Sequence, residues 1–394
     1  MSDPNPVMDL LLLAPHPFYQ ERGTPIAVDM LLQVLDEDGI HVDVVTFREG
    51  AERSYNRVRI HRIDPPGGIS GVRPGFSLKK LYCDVWLFAR AWSLLRRNRY
   101  DAIHAVEESV FMAWFFNKLY RIPYVYDMDS MMSDQLMEKY PVLKLLGAPM
   151  KWLEKLPMRN ALAVAPMCEA LAHHVRSQNQ RVFVLKDVSL ITDHPAPGAV
   201  TEDLRKTLNI HGPMLLYVGN LEPYQGIELL LRAVAHLATQ DSDVELVVIG
   251  GIDADIDRYL EFARKHDIAG RVHFLGTRPV NRIGDYLRQA DVLVSPRTQG
   301  TNTPMKIYSY LHSGTPVVAT DLPTHTQVLN PSIAVLAKPA PAALAAAIRE
   351  LIAEPERRQR LGDQARRYAE REHSVEGFKQ KVRELYATVR SQLI

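Results

Sequence analysis

The sequence predicts an α/β protein made of two doubly wound parallel domains, and three observations carry that prediction. Short apolar runs alternate with helical patterns from end to end. The 394 residues are more than one hydrophobic core usually organises. The alternation is interrupted once, between Leu190 and Pro213, where the chain turns polar and reads His194-Pro195-Ala196-Pro197-Gly198.

The elements follow in order. Runs of aliphatic and aromatic residues predict strands at Asp9–Leu13, His41–Phe47, Val58–Ile60, Ala102–Ala105, Tyr124–Tyr126, Ala161–Ala165 and Val182–Leu185. Helical spacing fills the gaps, for example Ile26–Leu35 and Leu78–Leu95. After the polar stretch the rhythm restarts at Met214–Val218, Glu245–Ile249, Val272–Leu275, Val292–Ser295 and Val317–Ala319. From Pro341 the chain is helical and rich in Ala, Arg and Glu, and a last helix is expected over Val375–Leu393. The expected division is 1–195, 196–372, and a terminal helix at 373–394 that returns to the first domain. Doubly wound sheets bind ligands at the carboxyl ends of their strands, so a cleft between the two domains is the expected site.

Composition narrows the function. Hydrophobic content of 46% and charged content of 24% are those of an ordinary globular protein. With 47 basic against 46 acidic residues, net charge supplies no attraction for nucleic acid. Cys83 and Cys168 stand far apart, outside any metal-ligand spacing, and read as reduced thiols. The run Leu10–Leu13 is short for a signal peptide, and Val110–Phe116 ends at Asn117 and Lys118, too soon for a membrane span. The expected location is cytoplasmic, with room for peripheral contact on the inner face of the cell membrane.

The most informative stretch runs from Gly300 to Thr320. A polar loop (Gly300-Thr301-Asn302-Thr303-Pro304) leads into a short helix carrying Lys306, then a Gly314-Thr315-Pro316 turn into an apolar strand. A helix entered from such a loop offers unpaired N–H groups and a positive dipole end, which suit a phosphate. Arg297 lies just upstream, so two cations flank the loop. The segment resembles the donor-binding segment of family 4 glycosyltransferases, enzymes of the two-domain GT-B type.

That resemblance implies roles for further residues. The strand and loop Leu215–Gly226 resemble the family's nucleotide-binding opening, with Gly219 in the loop. Where the family usually carries an Arg and a Lys that grip the diphosphate, this chain has Asn220 and Gln225. Amides hydrogen-bond phosphate but do not neutralise it, which leaves Arg297 and Lys306 to supply the charge. The family's two glutamates are replaced by Thr301 and Ser309, and Ser309 offers a ribose one hydroxyl. Asn302 and Thr303 fall in the phosphate loop, and Arg278 follows the strand that borders the nucleobase in the family. In the first half, Gly23 and Thr24 occupy the loop that approaches the diphosphate, with Pro25 suited to a first helical turn.

On the acceptor side, Asp127 and Asp129 form an Asp-x-Asp string. Its oxygens suit a divalent cation, but GT-B enzymes need none, so no metal is expected. Asp129 falls where many members place a cleft histidine, and is either a proton acceptor for the incoming hydroxyl or a helix cap. His104, Glu107 and Glu108 close another strand. The two carboxylates suit acceptor hydroxyls, whereas His104 fits a packed core.

The stretch Leu78–Arg97 bears on the partner. At about 100° per residue, Leu78, Leu81, Val85, Phe88, Trp92 and Leu95 share one face and predict its burial. Lys79, Trp86, Arg90 and Arg97 then point outward, either as a solvated face or toward an anionic membrane surface.

The resemblance thus implies a retaining, metal-independent glycosyltransferase. It would move a sugar from a nucleotide diphosphate donor to a hydroxyl of a glycan or lipid-linked acceptor, with Asp129, Arg297 and Lys306 as catalytic residues and no cofactor. Two rivals stay open: a nucleotide-sugar epimerase of the same architecture, and a non-catalytic nucleotide-sugar-binding protein.

Overall fold

The computed structural model describes residues 8–20, 23–69, 71–72, 77–191, 202–240, 242–300 and 303–393. The chain divides into two compact units, Met1–Lys186 with Glu376–Ile394, and Asp187–Val375.

In the first unit the strands are β1 (Asp9–Ala14), β2 (His41–Thr46), β3 (Val58–Arg62), β4 (Ala102–Val106), β5 (Tyr124–Met128) and β6 (Ala163–Pro166). They form one sheet in the order β3-β2-β1-β4-β5-β6, and every pair is parallel. Helices cover both faces of a parallel sheet, which is why Leu10 to Leu13 are all buried rather than alternating. The helices before β6 are α1 (Gly23–Glu37), α2 (Leu78–Leu95), α3 (Ser109–Tyr120), α4 (Met132–Lys139) and α5 (Gly147–Asn160), and α6 (Glu169–Arg176) follows it. One core unites Leu11, Leu13, Tyr124 and Tyr126 with Leu87 of α2, Phe116 of α3 and Met158 of α5.

The second unit repeats the scheme with α7 (Leu204–Leu208), β7 (Met214–Val218), α8 (Ile227–Ala238), β8 (Glu245–Ile249), α9 (Asp253–Lys265) and β9 (Val272–Phe274). It continues through α10 (Ile283–Leu287), β10 (Val292–Ser295), α11 (Lys306–Ser313), β11 (Val317–Thr320), α12 (Pro323–Thr326) and β12 (Val335–Ala337). Helices α13 (Pro341–Ala353), α14 (Pro355–Glu372) and α15 (Val375–Ser391) complete the chain. The strand order is β12-β11-β10-β7-β8-β9, again wholly parallel. Both domains are therefore doubly wound, as the alternation of runs predicts.

Three local expectations are corrected. The predicted strand Val182–Leu185 lies beside β6, with Phe183 N donating to Val164 O and Leu185 N to Pro166 O, but it forms a single bridge. Strand β12 was not expected, because a three-residue edge run gives too little pattern to detect. The third concerns α2. Its buried face is Lys80, Cys83, Leu87, Ala91, Leu94 and Leu95, while Leu78, Leu81 and Val85 are exposed. Small Cys83 and Ala91 let the helix approach the sheet, and Lys80 is drawn inward by the carboxylates of Glu107 and Glu108. Arg90 consequently turns toward His61 Nδ1 at 3.1 Å instead of outward, while Lys79, Trp86 and Arg97 do face solvent.

Candidate functional site

The winding of the second sheet reverses between β7 and β10. Loops leaving two such strands diverge and open a crevice at their carboxyl ends. The sequence puts Gly219–Gly226 after β7 and Pro296–Gly300 after β10. The two loops touch at their backbones. Gly226 has φ +76°, and a Cβ there would overlap the Pro296 carbonyl oxygen, so only glycine fits.

Lys306, the first residue of α11, points back into this crevice. Its Nζ donates to Gln225 Oε1 at 3.1 Å and stands 3.8 Å from the centre of the Tyr217 ring. A Cβ on Gly219, where φ is +146°, would lie 3.1 Å from both Lys306 Nζ and Tyr217 Oη. Among the described residues Lys306 has no carboxylate partner. Burial first, and then the charge of Arg297, hold its ammonium well below the usual lysine range.

Arg297 sits over the Tyr224 ring, 5.1 Å from its centre, and its Nε donates to Gln299 O at 2.8 Å. Burial lowers its pKa. Its own backbone is fixed from below, because Thr320 Oγ1 donates to the Arg297 carbonyl at 2.5 Å. Beside it His325, fully buried, donates from Nδ1 to Thr320 O at 2.9 Å and accepts at Nε2 from Ser295 Oγ at 2.8 Å. Burial pushes His325 down to about 4, so it holds this frame as a neutral ring.

The other residues expected on the donor side are distributed unequally. Gln225 is buried within the cluster, whereas Asn220 is exposed and its carbonyl accepts from Tyr217 Oη at 2.7 Å. Thr303 is buried just before α11, and Asn302 lies outside the described residues. Ser309 is fully buried, and its Oγ accepts from Leu190 N at 3.0 Å, so the chain's own backbone engages that hydroxyl. Arg278 is paired with Glu202, Nε to Oε2 at 3.1 Å, and also donates to Leu275 O. The pairing lowers the Glu202 carboxyl and raises Arg278.

In the first unit the winding reverses between β1 and β4. Thr24, in the first turn of α1, donates from Oγ1 to Asp129 Oδ2 at 2.7 Å. Gly23 has no atom within 4 Å of where a Cβ would stand, so that side of the turn is open. Asp127 Oδ2 accepts from His104 Nε2 at 3.2 Å, and His104 Nδ1 accepts from Tyr386 Oη of α15 at 2.8 Å. His104 is fully buried, as expected of a core histidine, and this pattern fixes its tautomer.

Glu107 and Glu108 end β4 with Lys80 between them. Lys80 Nζ pairs with Glu108 and lies 3.7 Å from Glu107 Oε2. Burial alone would lower Lys80, but Glu108 and Glu107 outweigh it and raise it. Burial, then Glu108, push Glu107 up to about 7 and Asp84 up to about 8. Three carboxylates thus share one ammonium, and the cluster holds protons near neutrality. Among the described residues no three His, Cys, Asp or Glu side chains gather as a metal site.

Sequence reasoning missed Lys80, Asp84, Tyr217, His325 and Tyr386. Lys80 reads as one of many basic residues on α2, and only its distance of one turn from Asp84 hinted at pairing. Tyr217 sits two residues before Gly219, near the end of β7, and reads there as one more apolar strand residue. Nothing in the sequence links Tyr386 to His104.

Residues 200–368 match the family described as Glycosyl transferases group 1, and residues 22–185 match the Glycosyl transferase 4-like domain. A D-inositol 3-phosphate glycosyltransferase of Corynebacterium diphtheriae is 28% identical, over 64% of this chain and 62% of that protein. The alignment thus spans less than two thirds of that relative. Sucrose-phosphate synthase from Thermosynechococcus elongatus superposes with a TM-score of 0.78 at 20% identity, covering 98% of this chain and 100% of that one. The Anabaena protein HepE in complex with UDP-glucose does so with a TM-score of 0.70 at 17% identity, covering 96% and 99%. At such identities these structural likenesses establish the GT-B fold.

Proposed function

The chain belongs to the group 1 glycosyltransferases of family 4, and from that membership we propose that it is a retaining, metal-independent glycosyltransferase. It moves a sugar from a nucleotide diphosphate donor to a hydroxyl of a glycan or lipid-linked acceptor. The observation that carries this reading is Lys306: a partly buried ammonium without a carboxylate partner among the described residues, beside the Gly219 loop and the Arg297 guanidinium. A buried cation lacking its own counter-ion is costly unless a ligand supplies one. A diphosphate does so, and the UDP-glucose complex of the structurally similar HepE supports that donor class.

The chemistry is then mainly electrostatic. As the bond from sugar to diphosphate lengthens, negative charge grows on the departing oxygens. Lys306 and Arg297 are already held where they can meet it, so little reorganisation is needed. Arg297 offers a planar fork to two oxygens and Lys306 a point charge. Asn220 and Gln225 add hydrogen bonds where the family usually has cations. Asp129, oriented by Thr24, orients the acceptor hydroxyl or takes its proton, while Asp127, Glu107 and Glu108 bind neighbouring hydroxyls. Retention rests on family membership. A lipid-linked acceptor calls for a peripheral position at an anionic membrane, and no described helix is long and apolar enough to cross one.

The test is thermal stabilisation by a panel of nucleoside diphosphates, repeated on Arg297→Ala and Lys306→Ala. At least one diphosphate raises the melting temperature of the parent chain, and each substitution cuts that rise. Equal stabilisation of parent and variants would remove both cations from the site.

A further inference from the structure

Helices α2, α3 and α5 lie side by side on one face of the first sheet, their inner residues sharing one core. Phe88 of α2 packs against Phe115 and Phe116 of α3, with ring centres 5.5 and 5.0 Å apart. Lys118 of α3 donates to Asn160 Oδ1 at the end of α5 at 3.0 Å. Their outward surface is unusually apolar. Leu78 and Val85 on α2 are 81% and 60% exposed, Leu119 on α3 51%, and Trp152 on α5 60%. The turn Pro141–Leu146 before α5 adds Val142 at 73% and Leu145 at 87%. Single exposed apolar residues are ordinary, but a concentration on neighbouring helices marks an interaction surface.

Charge selects the occupant. Every exposed charged residue on these three helices and the turn is basic: Lys79, Lys118, Lys144, Lys151 and Arg159. Their two acids, Asp84 and Glu154, are withdrawn from the surface, and Glu154 instead accepts from Met132 N and Ser133 N at the start of α4. Asp134 of α4 offsets Lys151 alone, at 2.9 Å. A second copy seated on this face across a two-fold axis would set basic groups against basic groups. A bilayer with anionic headgroups offers apolar depth and opposite charge together.

We propose that this three-helix face is a monotopic membrane-binding surface, with Leu145 and Trp152 entering the headgroup region and Lys144 and Lys151 on its phosphates. The proposal rests on the peripheral-membrane part of the function proposed above. It moves the contact from one face of α2 to a broader surface centred on the turn before α5.

Flotation of the full chain with vesicles tests it, using phosphatidylcholine alone or equal parts of phosphatidylcholine and phosphatidylglycerol. The chain floats with the anionic vesicles and much less with the neutral ones. Leu145→Asp with Trp152→Asp lowers the partition coefficient by about tenfold or more, as does Lys144→Glu with Lys151→Glu. These residues are exposed, so both variants keep the parent melting temperature and its response to nucleoside diphosphate. That second readout separates failure of this surface from failure of the donor site. The proposal is overturned if the parent stays with the soluble fraction, or if the variants float as it does. It is equally overturned if light scattering finds a dimer of the parent that the Leu145→Asp, Trp152→Asp variant loses.

Discussion

At the scale of single residues, the site is governed by charges placed where they are uncomfortable. Lys306 is held below the lysine range by burial and by Arg297. A diphosphate favours the charged form, so as pH rises through and above the lysine's free-state pKa, binding takes up protons and affinity falls. Calorimetric titration of a diphosphate in two buffers of different ionisation enthalpy, repeated across a pH series, should show this uptake growing with pH, and Lys306→Met should abolish it. Because a base with a lowered folded pKa destabilises the free chain at neutral pH, Lys306→Met should also raise the ligand-free melting temperature by about 2–4 °C. Asp84 gives the opposite linkage. Its pKa rises from 3.8 to about 8 in the fold, so the unfolded chain releases its proton first and stability falls as pH climbs through that window. Asp84→Asn removes this loss. Its stability relative to the parent should grow by about 1–3 kcal/mol between roughly pH 5 and pH 8, measured by urea titration.

At the scale of elements, loops rather than helices set the donor crevice. Gly226→Ala forces a Cβ into the Pro296 carbonyl at a left-handed φ of +76°. We expect a cost of about 1–3 kcal/mol, and loss of the diphosphate-induced melting shift because the two loops part. The same scale shows where pattern reading worked and where it stopped. Strands such as Leu10–Leu13 were legible because a parallel strand covered on both faces is apolar throughout. The rotation of α2 was not, because its helical pattern counted Leu78, Leu81 and Val85 as core and Lys80 as solvated. A buried ion cluster with Glu107 and Glu108 decided otherwise, and tertiary charge pairing leaves no periodicity in the sequence. Arg278 was read as a candidate contact for the nucleobase, and nothing local announced its pairing with Glu202, remote in sequence.

At the scale of the whole molecule, the last helix belongs to the first unit. Val382, Leu385, Tyr386 and Val389 of α15 are buried, and Lys379 and Arg383 pair with Glu37 at 2.8 Å and Asp38 at 2.9 Å. Burial of each apolar side chain contributes about 1.5–3 kcal/mol, so together they rival the whole stability of a domain. Ending the chain at Glu372 should therefore abolish the cooperative melting of the first unit. The second unit should keep a transition that still responds to diphosphate, and differential scanning calorimetry resolves the two.

By itself the sequence determined the two parallel α/β domains, the family and the loop with its two cations. Strand alternation, glycine placement and the Lys306 segment are local patterns that need no folded context. Only the tertiary structure decided which cation, among the described residues, has an amide rather than a carboxylate for a neighbour, which carboxylates share protons and which helix faces stay bare. Those properties depend on the distance between residues far apart in the chain, such as His104 and Tyr386, and no local pattern records it.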